Sequence, residues 1–158
     1  MINTIKKALE ENNLNFQTIR STPEQTVYKL GMTLDNGRCD TFIDIRTENN
    51  QVLIYTTLPT TVPENHRVRV AEFLTRANYG LIIGNFELDF EDGEVRYKAT
   101  YIYDDTFPNT ETIFMRNLFV SFNSMDKYLP GVMSVIYANI LPNQAITQIE
   151  NTPNSSMN

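Results

Sequence analysis

Two short tracts, Asp35-Asn36-Gly37-Arg38 and Glu91-Asp92-Gly93-Glu94, constrain this chain more than any other part of it. A type I′ turn needs positive φ at both central residues, which Asn-Gly and Asp-Gly accept at little cost, so each tract between alternating apolar residues predicts an antiparallel hairpin. The first turn sets Leu34 against Cys39, Met32 against Thr41, Leu30 against Ile43 and Tyr28 against Ile45 on one apolar face, with Lys29 against Asp44 on the other. The second sets Phe90 against Val95, Leu88 against Tyr97 and Phe86 against Ala99 on a buried side, with Asp89 facing Arg96 and Glu87 facing Lys98 on the reverse. A one-residue slip would exchange the faces and destroy those charge pairs. In this register Gly84 lies opposite Tyr101, whose ring covers the missing side chain.

A further turn at Glu48-Asn49-Asn50-Gln51 predicts a third strand, pairing Thr47 with Val52, Ile45 with Ile54 and Ile43 with Thr56. The reverse face of this meander carries Val27, Phe42, Leu53 and Tyr55 among charged residues, which is more apolar than a purely solvated face. Helical spacing appears around these strands. Ile2, Ile5 and Leu9 predict a short first helix ending at Asn12-Asn13, and the tract 14–24, which has no clear period, reads as a connection. Val70, Phe73, Leu74 and Ala77 predict a second helix opened by Pro63-Glu64 and closed at Asn78 to Gly80, with Arg69, Glu72 and Arg76 as an outer charge ladder. From about Asn109, the stripe Ile113 to Met125, continued by Leu129 to Ile140, predicts a long helix broken or bent at Pro130-Gly131. Pro142 opens a last short helix carrying Ala145, Ile146 and Ile149. Residues 1–150 thus read as a single α+β domain and 151–158 as a disordered tail with nothing to bury.

Charge and composition remove several functional classes. Thirteen Lys and Arg against nineteen Asp and Glu leave a net charge of −6, whereas nucleic-acid affinity draws on a basic surface. The longest strictly apolar runs, such as Leu81-Ile82-Ile83, are three residues, against roughly 20 needed to cross a bilayer. Lys6, Lys7, Glu10 and Glu11 leave no apolar leader near the N-terminus, and a single cysteine rules out an intrachain disulfide, so the expected compartment is the reducing cytoplasm.

The chemistry-bearing residues favour structural roles. Glu87, Asp89 and Glu91 share a strand face and offer oxygens to a hard cation, but two of them have basic partners in the register and the spacing is not that of a calcium loop. Cys39 points into the core, and His66, the lone histidine, lies on a separate element, so they do not read as a nucleophile and base. No nucleophile elbow, phosphate-cradling glycine loop or dinucleotide fingerprint is present, and neither metal nor cofactor is expected. Tyr97, Tyr101 and Tyr103 form a stripe suited to stacking a base or a sugar, but share their face with Phe86, Leu88 and Phe90 and so read as core.

The element order, together with Ala71-Glu72-Phe73-Leu74-Thr75-Arg76-Ala77-Asn78, Gly84-Asn85-Phe86-Glu87-Leu88-Asp89, Asp92-Gly93-Glu94-Val95-Arg96-Tyr97 and Pro130 before Val135-Ile136-Tyr137, resembles the YbjN-like family of bacterial sensory transduction regulators. The motifs cover about Leu58 to Glu150 and are structural, so no catalytic residues carry over. The resemblance implies a two-layer α/β sandwich, α-β-β-β-α-β-β-α, with one five-stranded antiparallel sheet in the order 1-2-3-5-4, similar in fold to type III secretion chaperones and commonly a homodimer. In that order the strand from Val27 to Leu34 is an open edge, and the strand Glu87 to Glu91 is an edge guarded by its acids.

The expected function is that of a non-catalytic protein-interaction module, chaperone-like, binding an extended or amphipathic segment of a partner protein. Contact is expected through Val27, Phe42, Leu53 and Tyr55, with strand addition at the first edge. The rival expectation is a small-ligand or catalytic pocket between the long helix and the sheet, near Tyr101, Tyr103 and Phe122.

Overall fold

The computed structural model describes residues 1–104 and 110–151. The expectation of a disordered tail falls on 152–158, outside the described residues; Asn151 closes the last helix. The order is α1 (Ile2–Glu11), β1 (Gln17–Ser21), β2 (Gln25–Thr33), β3 (Arg38–Arg46), β4 (Gln51–Thr57), a 3₁₀ turn (Glu64–His66), α2 (Arg67–Gly80), β5 (Asn85–Leu88), β6 (Val95–Ile102), α3 (Thr110–Tyr137) and α4 (Pro142–Asn151). One antiparallel sheet runs β1-β2-β3-β4-β6-β5.

The sheet has six strands where five are expected. Gln17–Ser21, inside the tract read as a connection, pairs with β2 and covers the edge expected to be open. Its sequence, Gln-Thr-Ile-Arg-Ser, has one apolar residue, and all five positions are exposed, so no alternation marks it as a strand. A bulge between Thr18 and Arg20, the short length and the Arg20 charge blunt its own free edge.

All three hairpins are shifted by two residues from the expected register. The strands pair Tyr28 with Ile43, Leu30 with Thr41 and Met32 with Cys39 at the first turn, Ile45 with Val52 and Ile43 with Ile54 at the second, and Leu88 with Val95 and Phe86 with Tyr97 at the third. Lys29 consequently faces Phe42 and reaches diagonally to Asp40 at 2.8 Å, and Glu87 faces Arg96 while also pairing with Lys98. Asp89 meets no arginine; its carboxylate accepts the Glu91 N–H at 2.7 Å. Phe90 moves out of the strand into the loop, 54% exposed. Because the shift is even, every residue that stays in a strand keeps its face, and the predicted apolar side is the buried side.

The turn residues explain the shift. The left-handed residues among those described are Asn13, Asn50, Asn139, Gly84 and Gly93, so neither Asn36 nor Gly37 adopts the conformation of a type I′ turn. They dock on α3 instead: the Asn36 N–H donates to Asp126 Oδ1 at 2.7 Å, its Nδ2 donates to the Asp126 carbonyl at 3.1 Å, and a Cβ on Gly37 would lie 2.6 Å from Leu129 Cδ2. Gly84 stands over Tyr97 rather than Tyr101, and the Tyr97 hydroxyl donates to the Ile83 carbonyl.

The helices share one face of the sheet. α3 packs on β4 and β6, α2 on β5, α4 on α2 and α3, and α1 on α3. Phe114, Leu118, Phe122 and Met125 of α3 meet the inner face of Ile43, Ile54, Tyr97 and Ala99, all buried. Each of the Phe, Leu, Ile and Met side chains among them contributes about 1.5–3 kcal/mol by leaving water. α3 is one continuous helix through Pro130, where a break or a bend was expected, and Gly131 lets Phe73 of α2 lie against the helix backbone. Of the charge ladder on α2, Glu72 and Arg76 pair at 2.8 Å, while Arg69 turns to the Asn139 and Ile140 carbonyls at 3.1 and 2.8 Å beyond the end of α3.

Candidate functional site: the outer face of the sheet

Strand alternation sends every second side chain to the face that carries no helix. Val27, Phe42, Leu53 and Tyr55 all lie there, half-buried. Phe42 and Tyr55 are directly paired, and the next row runs Val27, Asp44, Leu53, so the four expected residues form one patch across β2, β3 and β4. None is covered by a helix. What shields them is the stems and heads of neighbouring charged side chains: Lys29 Nζ lies 5.4 Å from the Phe42 ring centre and the Arg96 guanidinium 4.7 Å from that of Tyr55.

The carboxylates of this face are held as internal counter-ions. Asp44 is buried between Val27 and Leu53 and accepts from Gln25 Nε2 at 2.7 Å and from Arg46 Nε at 2.9 Å. Glu87 accepts from Arg96 Nε at 2.8 Å and from Lys98. Burial raises the Glu87 pKa, but the hydrogen bonds and charges of Lys98 and Arg96 outweigh it, and the carboxyl ends below its usual range. A depressed folded-state pKa stabilises the protein above the unfolded value of about 4.3, and that contribution is lost as pH falls through the folded value. In urea titrations from pH 6 to pH 3, stability should fall less steeply for Glu87→Gln than for the parent; parallel curves would refute the ion-pair reading.

Lys29, Arg96 and Lys98 were expected on this face as partners of acids; Arg38 and Arg46, which also occupy outward positions of the two-residue period, were not. A second apolar feature was not expected either. Tyr79 and Ile82, 98% and 99% exposed, stand at the α2–β5 connection, whose root is tied by Asn78 to both the N–H and the carbonyl of Phe86.

The remaining candidates are structural. Burial pushes the Cys39 thiol up to about 11, despite a bond to Thr41, and His66 shares a hydrogen bond with its neighbour Asn65. No group of three or more His, Cys, Asp or Glu able to hold a metal occurs among the described residues. Of the residues expected to line a pocket, Phe122 and Tyr103 are buried and Tyr101 is partly buried. The Tyr101 hydroxyl is buried without a hydrogen-bond partner among the described residues, and burial together with Tyr103 raises its pKa. No described helix is long and apolar enough to cross a membrane.

Residues 2–125 match the YbjN family, described as "Putative bacterial sensory transduction regulator". The chain belongs to the YbjN family. That match takes in the meander and its outer face, and it ends before the Pro130 and Val135-Ile136-Tyr137 segment on which the resemblance was partly drawn. The crystal structure of YbjN from E. coli, described as "a putative transcription regulator", is similar over 88% of this chain and 91% of that one, at 16% identity and a TM-score of 0.57. At that identity the likeness speaks for the YbjN fold alone. No curated protein matches the sequence. The family description is that of a regulator, and it names no reaction.

Proposed function

We propose that this YbjN-family chain is a non-catalytic regulatory module that holds an extended or amphipathic segment of a partner protein on the outer face of its sheet. The observation that carries this reading is the Phe42–Tyr55 pair, flanked by Val27 and Leu53, on a sheet face with no helix over it. A contiguous apolar patch left in water is the usual mark of an interaction surface. Strand addition at β2 does not enter the proposal, because β1 occupies that edge. A chaperone-like way of working, a homodimer and a cytoplasmic location complete the proposal. They are supported by the secretion-chaperone resemblance and by the lone, buried, unreactive Cys39.

Affinity capture from the native cell, comparing the parent with Phe42→Ala/Tyr55→Ala, tests the docking face. Both side chains are half-buried rather than core, so the double variant should keep its circular dichroism spectrum and cooperative unfolding. Truncating two central aromatic anchors should weaken partner retention by roughly a hundredfold. Capture of the same partner at undiminished yield would reject this face.

A further inference from the structure

The outer face carries a charge opposite to that of the chain. Its strand positions include Arg20, Lys29, Arg38, Arg46, Arg96 and Lys98. Against these six bases stand three acids, Asp40, Asp44 and Glu87. Among the described residues, fifteen acids and seven bases lie elsewhere. Two of the three acids sit deeper than their partners: the Asp44 and Glu87 side chains are 8% and 27% exposed, against 43%, 39% and 30% for Arg46, Arg96 and Lys98, while Asp40 at 39% is as exposed as Lys29 at 37%. Over Asp44 and Glu87 a ligand meets cations first. Among the described residues, no carboxylate pairs with Arg20 or Arg38 at all.

We infer that the segment held on this face is acidic: an extended stretch of a partner protein that carries Asp or Glu and aliphatic side chains together on one side, at every second position, its carboxylates meeting the cations and its aliphatic groups meeting Val27 and Leu53. The inference rests on the proposed docking face and adds the chemistry of what docks. Charge complementarity selects the partner and accelerates its encounter. Nucleic acid fits less well. The two aromatic rings already lie under Lys29 and Arg96, which leaves their faces less open to base stacking. The acidic surface of a second copy would also complement this face, but a contact between two different surfaces generates rings or open chains rather than a two-fold dimer.

The test is a titration of ¹⁵N-labelled protein, reading backbone amide shifts on β2, β3, β4 and β6, with three probes: a synthetic peptide of about twelve residues repeating Glu-Thr-Val-Thr, which puts Glu and Val on one side of the extended chain, its Lys-for-Glu counterpart, and oligo-deoxythymidine of similar length. The Glu peptide should shift amides on these strands, and its affinity should fall severalfold between low and physiological salt. Arg20→Glu/Arg38→Glu, which breaks no ion pair, should weaken it roughly tenfold with the fold intact. The inference is overturned if the Lys peptide or the oligonucleotide perturbs the face equally or better, if the Glu peptide perturbs nothing there, or if the double reversal leaves its affinity unchanged. It is also overturned if sedimentation shows a self-associated parent that this reversal dissociates, since the occupant is then a second copy. Phe42→Ala/Tyr55→Ala separates the two readings. If it abolishes binding of the Glu and Lys peptides alike, the docking face stands and its acidic preference falls; if Glu-peptide affinity survives it unchanged, the docking face itself falls.

Discussion

Gly93→Ala should destabilise the protein by about 3–5 kcal/mol, combining left-handed strain with overpacking. Gly93 ends the β5–β6 loop with φ +82°, and its Cα faces the backbone of Val62, buried on the connection from β4 to α2. A Cβ there would lie 3.0 Å from the Val62 nitrogen and closer still to the Val62 carbonyl oxygen. Backbone cannot rotate aside as a side chain can, and the Val62 N–H to Gly93 carbonyl bond of 2.8 Å would be lost with the displacement. Arg67, which donates to the Val62 and Phe90 carbonyls at 3.3 and 2.7 Å, would lose its geometry too. Urea unfolding followed by circular dichroism reads the effect. Gly80→Ala is the control: the nearest atom to its added Cβ is Glu150 Oε1 at 3.9 Å, and the substitution should be neutral or gain up to about 1 kcal/mol from helix propensity. Equal stability of the two variants would refute the contact with Val62.

Phe73→Ala should cost a similar amount, about 3–5 kcal/mol, by opening a cavity where α2 meets α3. Phe73 is fully buried, its ring stands edge-on to Tyr128 at 6.4 Å, and its Cε2 would lie 2.7 Å from a Cβ on Gly131. The ring fills the space that the missing side chain of Gly131 leaves. Neither partner can follow it inward, because Tyr128 is itself held edge-on to Phe86 at 5.5 Å. For a chain of this length the loss corresponds to a melting temperature lower by roughly 10 °C. A drop under about 3 °C would mean that the helices collapse into the space, contrary to the packing described. Phe73 packs on the helical side of the sheet, away from Phe42 and Tyr55, so folded Phe73→Ala should retain the outer face.

The elements whose evidence is periodic were legible in the sequence. The stripes Ile5-Leu9, Val70-Phe73-Leu74-Ala77 and Phe114-Leu118-Phe122-Met125 all point into the core, and Val27, Phe42, Leu53 and Tyr55 all point away from it. β1 was not legible, since Gln17–Ser21 exposes every side chain and leaves no alternation to detect. The Asn36-Gly37 turn misled for a different reason. Its residues suit a tight reversal, but Asn36 forms two hydrogen bonds to Asp126, 90 residues away in sequence, and turn chemistry read locally cannot weigh such a contact.

Local pattern therefore decides which side of the sheet each residue faces, because side-chain alternation has a period of two and survives any even slip of the strands. It cannot choose among the even slips, which all bury the same residues. That choice belongs to long-range contacts, such as Asn36 with Asp126, Gly37 with Leu129 and Gly93 with Val62, and it determines which charges meet. Only the assembled sheet places Lys29 over Phe42 and Arg96 over Tyr55 and draws Asp44 and Glu87 beneath their partners. The cationic face is a property of neighbouring strands taken together.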